Sequence, residues 1–137
     1  FFSPNKRISK VVLKEVIDEV MGLFSKQLEV HNIKIDIDIK DISVFGYKNE
    51  LSQILMNFIK NSKDAFDEIT KEDKYIKIIA KEVENSVELM VEDNAGGIKK
   101  EILDRIFEPY FTSKKTGTGI GLYISKMLVE DMQGTIS

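Results

Sequence analysis

The sequence predicts an α+β fold: a two-layer sandwich with helices packed on one face of a mixed, mainly antiparallel sheet. Three observations point to it. The apolar residues change from a period of about 3.6 to a period of 2 and back again within one short chain. Two consecutive period-2 runs are separated by only a tight turn, which makes an antiparallel hairpin. The chain has 137 residues, 42% of them apolar, enough for one domain with a proper core. Helices and strands interleaved in this way, with a hairpin in the middle, favour α+β over a parallel βαβ sheet.

Residues 1–7 are a short, polar, Pro-containing lead-in. The chain opens at Phe1-Phe2-Ser3-Pro4 without an initiator methionine, so these residues are expected to be the tail of a linker from an upstream domain, with the domain itself over 8–137. Ser9 is the expected N-cap of a helix running to about Val30. Val12, Val16, Val20 and Leu23/Phe24 recur at helical spacing and give it one buried face. The period then shortens: Ile33, Ile35, Ile37 and Ile39 alternate with Lys34, Asp36, Asp38 and Lys40, a strand with one face in the core. Asp41 to Gly46 reads as a turn with a short strand at Ile42–Phe45.

From Tyr47 to Ile69 the helical period returns through Leu51, Ile54, Leu55, Phe58, Ala65 and Phe66. A charged connection, Glu68 to Lys74, leads into strands Tyr75–Glu82 and Ser86–Asp93, joined at Glu84-Asn85. A glycine-bracketed loop follows, then a helix from about Thr118 to Met132. Gly134-Thr135-Ile136-Ser137 begins another strand, so the domain is expected to be truncated before its last strand, with a sheet edge left unpaired.

Charge and composition exclude several classes. Net charge is −3 with no basic block, which argues against nucleic acid or an anionic membrane as the main partner. Without cysteine there is neither a disulfide framework nor a thiolate metal site. No apolar run approaches the roughly 20 residues of a membrane span and no signal peptide is visible, so a cytoplasmic domain is expected.

Glycine is concentrated rather than scattered. Five of the eight glycines lie between Asp93 and Leu122, in Asp93-Asn94-Ala95-Gly96-Gly97-Ile98 and in Gly117-Thr118-Gly119-Ile120-Gly121-Leu122. The second cluster opens into a run at helical spacing. A glycine-rich loop feeding a helix N-terminus presents backbone N–H groups and a positive dipole end, which suits phosphate.

The helix over 47–69 adds a polar stripe. At about 100° per residue, Asn57, Asn61, Asp64 and Glu50 share a sector of roughly 60°. Asn is a poor helix former, and two of them one turn apart need a reason. One reason is that amide oxygens suit a hard cation such as Mg²⁺, which fills its octahedron with water and phosphate oxygens. The other is a solvated helix face that happens to carry Asn. Asp93, at the end of a strand, can accept a hydrogen bond from an exocyclic amine such as that of adenine, or can simply form a turn with Asn94. An acid for a base, a stripe for metal and a glycine loop for phosphates together make a complete nucleotide site.

These residues resemble the catalytic, ATP-binding domain of sensor histidine kinases, in the superfamily that includes gyrase and MutL ATPases. Asn57-Phe58-Ile59-Lys60-Asn61-Ser62-Lys63-Asp64-Ala65-Phe66 resembles the N box, and Asp93 to Ile98 the G1 box. Ile106-Phe107-Glu108-Pro109-Tyr110-Phe111 resembles the F box, and Gly117 to Leu122 the G2 box, all in the family's order. The resemblance implies ATP and Mg²⁺ as cofactors. Asn61 would hold Mg²⁺ with help from Asn57, and Asp93 would bind the adenine amine. Asp64, Gly96, Gly97 and Ile98 fall in the same boxes and would belong to the nucleotide site. Gly119 and Gly121, with the backbone of Gly117, Thr118, Ile120 and Leu122, would cradle the phosphates. Phe107 would anchor a lid over 94–118, and Lys114 would either approach the phosphates or form a solvated pair with Lys115.

Gyrase-like ATPases carry a water-activating glutamate four residues before the magnesium asparagine. Here that position is Asn57, not a base at neutral pH, which favours phosphoryl transfer to an external acceptor over hydrolysis. Glu50, two turns upstream, is either a polarising residue or an exposed helix-start glutamate. The acceptor implied is a histidine on an upstream dimerisation hairpin domain, and a response regulator would be the downstream partner. The lone His31, followed by Asn32, is expected to be a surface or capping residue instead. A related Ser/Thr or metabolic-enzyme kinase, or a degenerate nucleotide-sensing module, would carry a similar ATP half. A Rossmann site fails because Gly117 to Gly121 is not GxGxxG and follows a lysine-rich loop, and no Walker run is present.

Overall fold

The computed structural model describes residues 8–67, 69–84, 86–96 and 105–108. Residues 1–7, the helix expected over 118–132 and the strand expected from Gly134 lie outside them. Residues 1–96 and 97–137 form separate compact units.

The first unit runs β1 (Ser9–Val12), α1 (Leu13–Val30), β2 (Ile33–Ile39), β3 (Ser43–Gly46), α2 (Lys48–Phe66), β4 (Lys74–Val83) and β5 (Ser86–Asp93). The main sheet has the order β2-β4-β5. β2 pairs with β4 in parallel and β4 with β5 antiparallel, so the sheet is mixed as expected. Between β2 and β4 the chain passes through β3 and α2, which supplies the crossover a parallel pair needs. Helices α1 and α2 pack on each other; α1 also packs on β2, and α2 on β4 and β5.

The first element differs from the sequence reading. Ser9 is not a helix cap; Ser9–Val12 is a strand paired antiparallel with β3, Ser9 opposite Gly46 and Val12 opposite Ser43. Helix α1 begins at Leu13 with Val12 at the N-cap position and no side-chain cap. A backbone group serves instead: the Leu13 N–H donates to the Ile42 carbonyl at 3.0 Å, satisfying one of the helix's orphan donors. The short strand near residue 42 sits one residue later than expected, at Ser43–Gly46.

The buried side of α1 is Leu13, Val16, Ile17, Val20 and Leu28; Leu23, assigned to that side from spacing, is 65% exposed. In β2 only Ile33 is fully buried and Ile37 is 39% exposed, because β2 is the edge of the described sheet. The core is completed by Leu55, Ile59 and Phe66 from α2 and Ile76 and Ile78 from β4. Asn32, at φ 57°, and the bond from its N–H to the Glu29 carbonyl end α1 in a left-handed turn, with His31 exposed beside it at the C-cap position. The β4–β5 hairpin forms as expected, with Glu84 at φ 56°; Asn85 lies outside the described residues. Among the described residues, no helix is long and apolar enough to cross a membrane.

In the second unit, residues 105–108 form a turn. The Glu108 N–H donates to the Arg105 carbonyl at 3.0 Å, and Arg105 Nε meets Glu108 Oε2 at 3.1 Å. Phe107 is half-buried in that turn.

Candidate functional site

Two elements of the first unit bring candidate residues to one layer. Helix α2 is the central element, flanked so closely that only Lys48, Asn49 and Lys60 are exposed along its length. Its polar stripe is therefore not a solvated face. Asn57, Asn61 and Asp64 are half-buried, and Glu50 is only 4% exposed, so it is no exposed helix-start glutamate. Holding amides and carboxylates partly out of water costs free energy unless something polar meets them. Lys63 Nζ lies 3.8 Å from Asp64 Oδ1 with both side chains largely covered.

Asp93 closes β5. Alternation places it on the face that carries Leu89 and Val91, both packed against the core, and its register partner is the fully buried Ile76. The carboxylate thus lies on the helix side of the sheet, where α2 packs on β4 and β5. Its Oδ1 accepts the Ala95 N–H at 3.0 Å, an Asx turn that uses one of its two oxygens. The Ala95 methyl is buried in the main core, 7% exposed, so the turn is anchored from below. Gly96 follows at φ +107°. A Cβ there would meet nothing within 4 Å, so glycine is required by backbone conformation rather than by crowding.

A residue that the sequence reading treated only as part of a turn proves to be structurally engaged. Asn94 Oδ1 accepts the Tyr75 N–H at 2.9 Å, and Asn94 Nδ2 donates to the Asp73 carbonyl. Its partners lie about 20 positions earlier in the chain, beside it at the open end of the hairpin, so no local pattern announces the bridge.

Among the described residues no group of three or more His, Asp or Glu side chains is placed to hold a metal. Binding would rest on amide oxygens one helical turn apart, about 6 Å along α2, with phosphate oxygens and water completing the shell. Glu50 stands about 10 Å along the helix from Asn57. The remaining candidates, Gly97, Ile98, Lys114, Gly117, Thr118, Gly119, Ile120, Gly121 and Leu122, lie outside the described residues. Phe107 belongs to the second unit.

Comparison with known proteins agrees with this architecture. Residues 46–137 match the family described as histidine kinase-, DNA gyrase B- and HSP90-like ATPases. Sporulation kinase A of Bacillus subtilis is 36% identical over 126 residues, covering 90% of this chain and 20% of that protein, so the chain spans a fifth of that relative's length. The catalytic domain of histidine kinase ThkA superposes with a TM-score of 0.81 at 30% identity, over 92% of this chain and 82% of that one. ThkA in complex with the response regulator protein TrrA gives a TM-score of 0.77 at 27% identity, over 93% of this chain and 36% of that one.

Proposed function

The chain belongs to the histidine kinase-, DNA gyrase B- and HSP90-like ATPase family, and from that premise we propose that it is the ATP-binding catalytic domain of a two-component sensor histidine kinase. It would bind Mg-ATP and deliver the γ-phosphoryl to a histidine on a separate helical-hairpin domain. The observation that carries the proposal is the half-buried Asn57/Asn61/Asp64 stripe on a helix that packs on the strand ending in Asp93.

In this proposal Asn61, assisted by Asn57, holds Mg²⁺ through side-chain oxygens, and the Asp93 carboxylate accepts the adenine amine. Asn57 has no basic group, so it orients and stabilises rather than deprotonating water, which leaves positioning and electrostatics as the source of rate. Glu50, two turns upstream on the same stripe, would be the polarising residue. The exposed His31, at the end of α1, is not assigned as acceptor. The solved complex of ThkA with TrrA supports a response regulator as the eventual phosphoryl recipient.

Calorimetric titration of the purified chain with a non-hydrolysable ATP analogue, with and without Mg²⁺, tests the proposal. Metal-dependent binding that GTP does not reproduce is expected, and Asp93→Ala should abolish it while the circular dichroism melt stays near wild type. Wild-type binding by Asp93→Ala would remove the assigned base pocket. Folded protein that binds no nucleotide would favour a degenerate docking module instead.

A further inference from the structure

We propose that Asn94 is a positioning residue for purine selectivity, holding the Asp93 carboxylate in place by bridging the end of β5 to the start of β4. The proposal rests on the reading of Asp93 as acceptor for the adenine amine.

The register explains why asparagine suits the position. Ile76 lies opposite Asp93, so a continued β5 would place residue 94 opposite Tyr75 and residue 96 opposite Asp73. In an antiparallel ladder the backbone of that continuation would accept from the Tyr75 N–H and donate to the Asp73 carbonyl. The chain instead turns away after Asp93, through the Asx turn and the left-handed Gly96. The Asn94 side-chain amide carries one acceptor and donor hydrogens, and it takes both ladder partners: Oδ1 accepts from Tyr75 and Nδ2 donates to Asp73. The sheet keeps its last rung while the main chain is released to form a loop.

Three successive residues thus fix the Asp93 carboxylate by different means. Asn94 pins the loop to β4, Ala95 binds Oδ1 and sits in the core, and Gly96 permits the reversal. The Asn94 bonds are solvent-exposed, so water can replace them when the side chain is removed and the fold should survive. The aim of the carboxylate would not survive equally well. An amine at purine position 6 needs an acceptor held in one direction, whereas a 6-oxo purine has no donor at that position and gains nothing from the aim of the carboxylate toward it.

The experiment compares adenosine and inosine triphosphates, the former as its non-hydrolysable analogue, by calorimetry with Mg²⁺ on the purified chain. Asn94→Ala should lower adenine-nucleotide affinity by about tenfold, the scale of one lost well-aimed hydrogen bond to a charged group. Affinity for inosine triphosphate should stay within about twofold, so the ratio of the two collapses. Asn94→Asp retains the acceptor for Tyr75 but sets a carboxylate against the Asp73 carbonyl, and it should not rescue selectivity. Equal losses for both nucleotides, or an unchanged ratio, would overturn the proposal. Asp93→Ala separates the two levels: if it too binds adenine nucleotide normally, the base-pocket reading itself has failed, whereas normal binding by Asn94→Ala alone removes only the role of Asn94. Should Asn94→Ala not fold, the wild type still answers by NMR. The two Asn94 side-chain amide protons should be well separated in chemical shift, because one is hydrogen-bonded, and should move on adenine-nucleotide binding; a near-degenerate pair that does not move would refute the bridge.

Discussion

Along one side of α2, Ile54, Leu55, Ile59 and Phe66 are at most 2% exposed; along another, Asn57, Asn61 and Asp64 stay half-buried and polar. Neither side is exposed, so the difference is not one of core against open water. The apolar side stabilises the fold by removing surface from water, by about 25 cal/mol per Å². The polar side contributes less in this way, because Asn lowers helix propensity and a partly buried amide needs polar partners. Amides and a carboxylate at these positions suit polar contacts or a ligand rather than further apolar burial. The comparison yields a rule that can be tested: changes on the apolar side should move stability and spare binding, and changes on the polar side should do the opposite.

The largest effect is expected on the apolar side. Leu55 has no exposed surface and sits in the main core, so Leu55→Ala should cost about 2–5 kcal/mol through lost transfer energy and a cavity. A urea melt would show this as a lower midpoint with unchanged slope. Nucleotide affinity of the folded fraction should be preserved. A loss of affinity without a loss of stability would break the division between the two sides.

Asn61→Ala probes the polar side. Alanine is the better helix former by up to about 0.7 kcal/mol, which offsets the loss of the side chain's own contacts, so the melting temperature should change little. Affinity for an ATP analogue should fall at least about tenfold with Mg²⁺ present and change little in EDTA. Equal loss in EDTA would mean that Asn61 holds the helix rather than a metal, and the polar stripe would lose its functional meaning.

What was legible in the sequence follows the range of the forces involved. Helix α2 and the β4–β5 hairpin were legible because period and turn chemistry are local. The mixed two-layer fold was legible from their alternation. β1 was misread because Ser9 resembles a cap and nothing separates Val12 from Leu13, while the partner that makes Ser9–Val12 a strand lies more than 30 residues away in β3. Leu23 lies at the margin of the face formed by Leu13, Val16, Ile17, Val20 and Leu28 and is exposed, while Phe24, the other residue at that step, packs against the core. At the candidate site, the Asn stripe and Asp93 could be picked out by residue type. The half-burial of the stripe and the Asn94 bridge could not; the bridge depends on Asp73 and Tyr75, about 20 positions earlier in the chain.

The smallest expected effect lies on the solvent side of α2, which sharpens the contrast between its other two sides. Lys48 Nζ and Glu19 Oε1 are 2.9 Å apart and join the first turn of α2 to α1, with side chains 45% and 59% exposed. The hydrogen bond to Glu19 and its charge, with a lesser contribution from the Glu15 charge, raise the Lys48 ammonium above the ordinary lysine value against a small opposing desolvation. Because the folded pKa is the higher one, the pair stabilises the fold fully at pH below the unfolded lysine pKa. That contribution disappears as pH rises through the folded value, on the alkaline side of the lysine range. At neutral pH, Lys48→Met should leave nucleotide affinity unchanged and lower the melting temperature only slightly, since exposed pairs contribute little and salt screens them. The difference between wild type and variant should shrink in high salt and vanish at strongly alkaline pH. A difference that persisted unchanged in high salt and at strongly alkaline pH would mean that Lys48 acts through side-chain packing rather than its charge, and the exposed side of α2 would then resemble the apolar side more than the polar one.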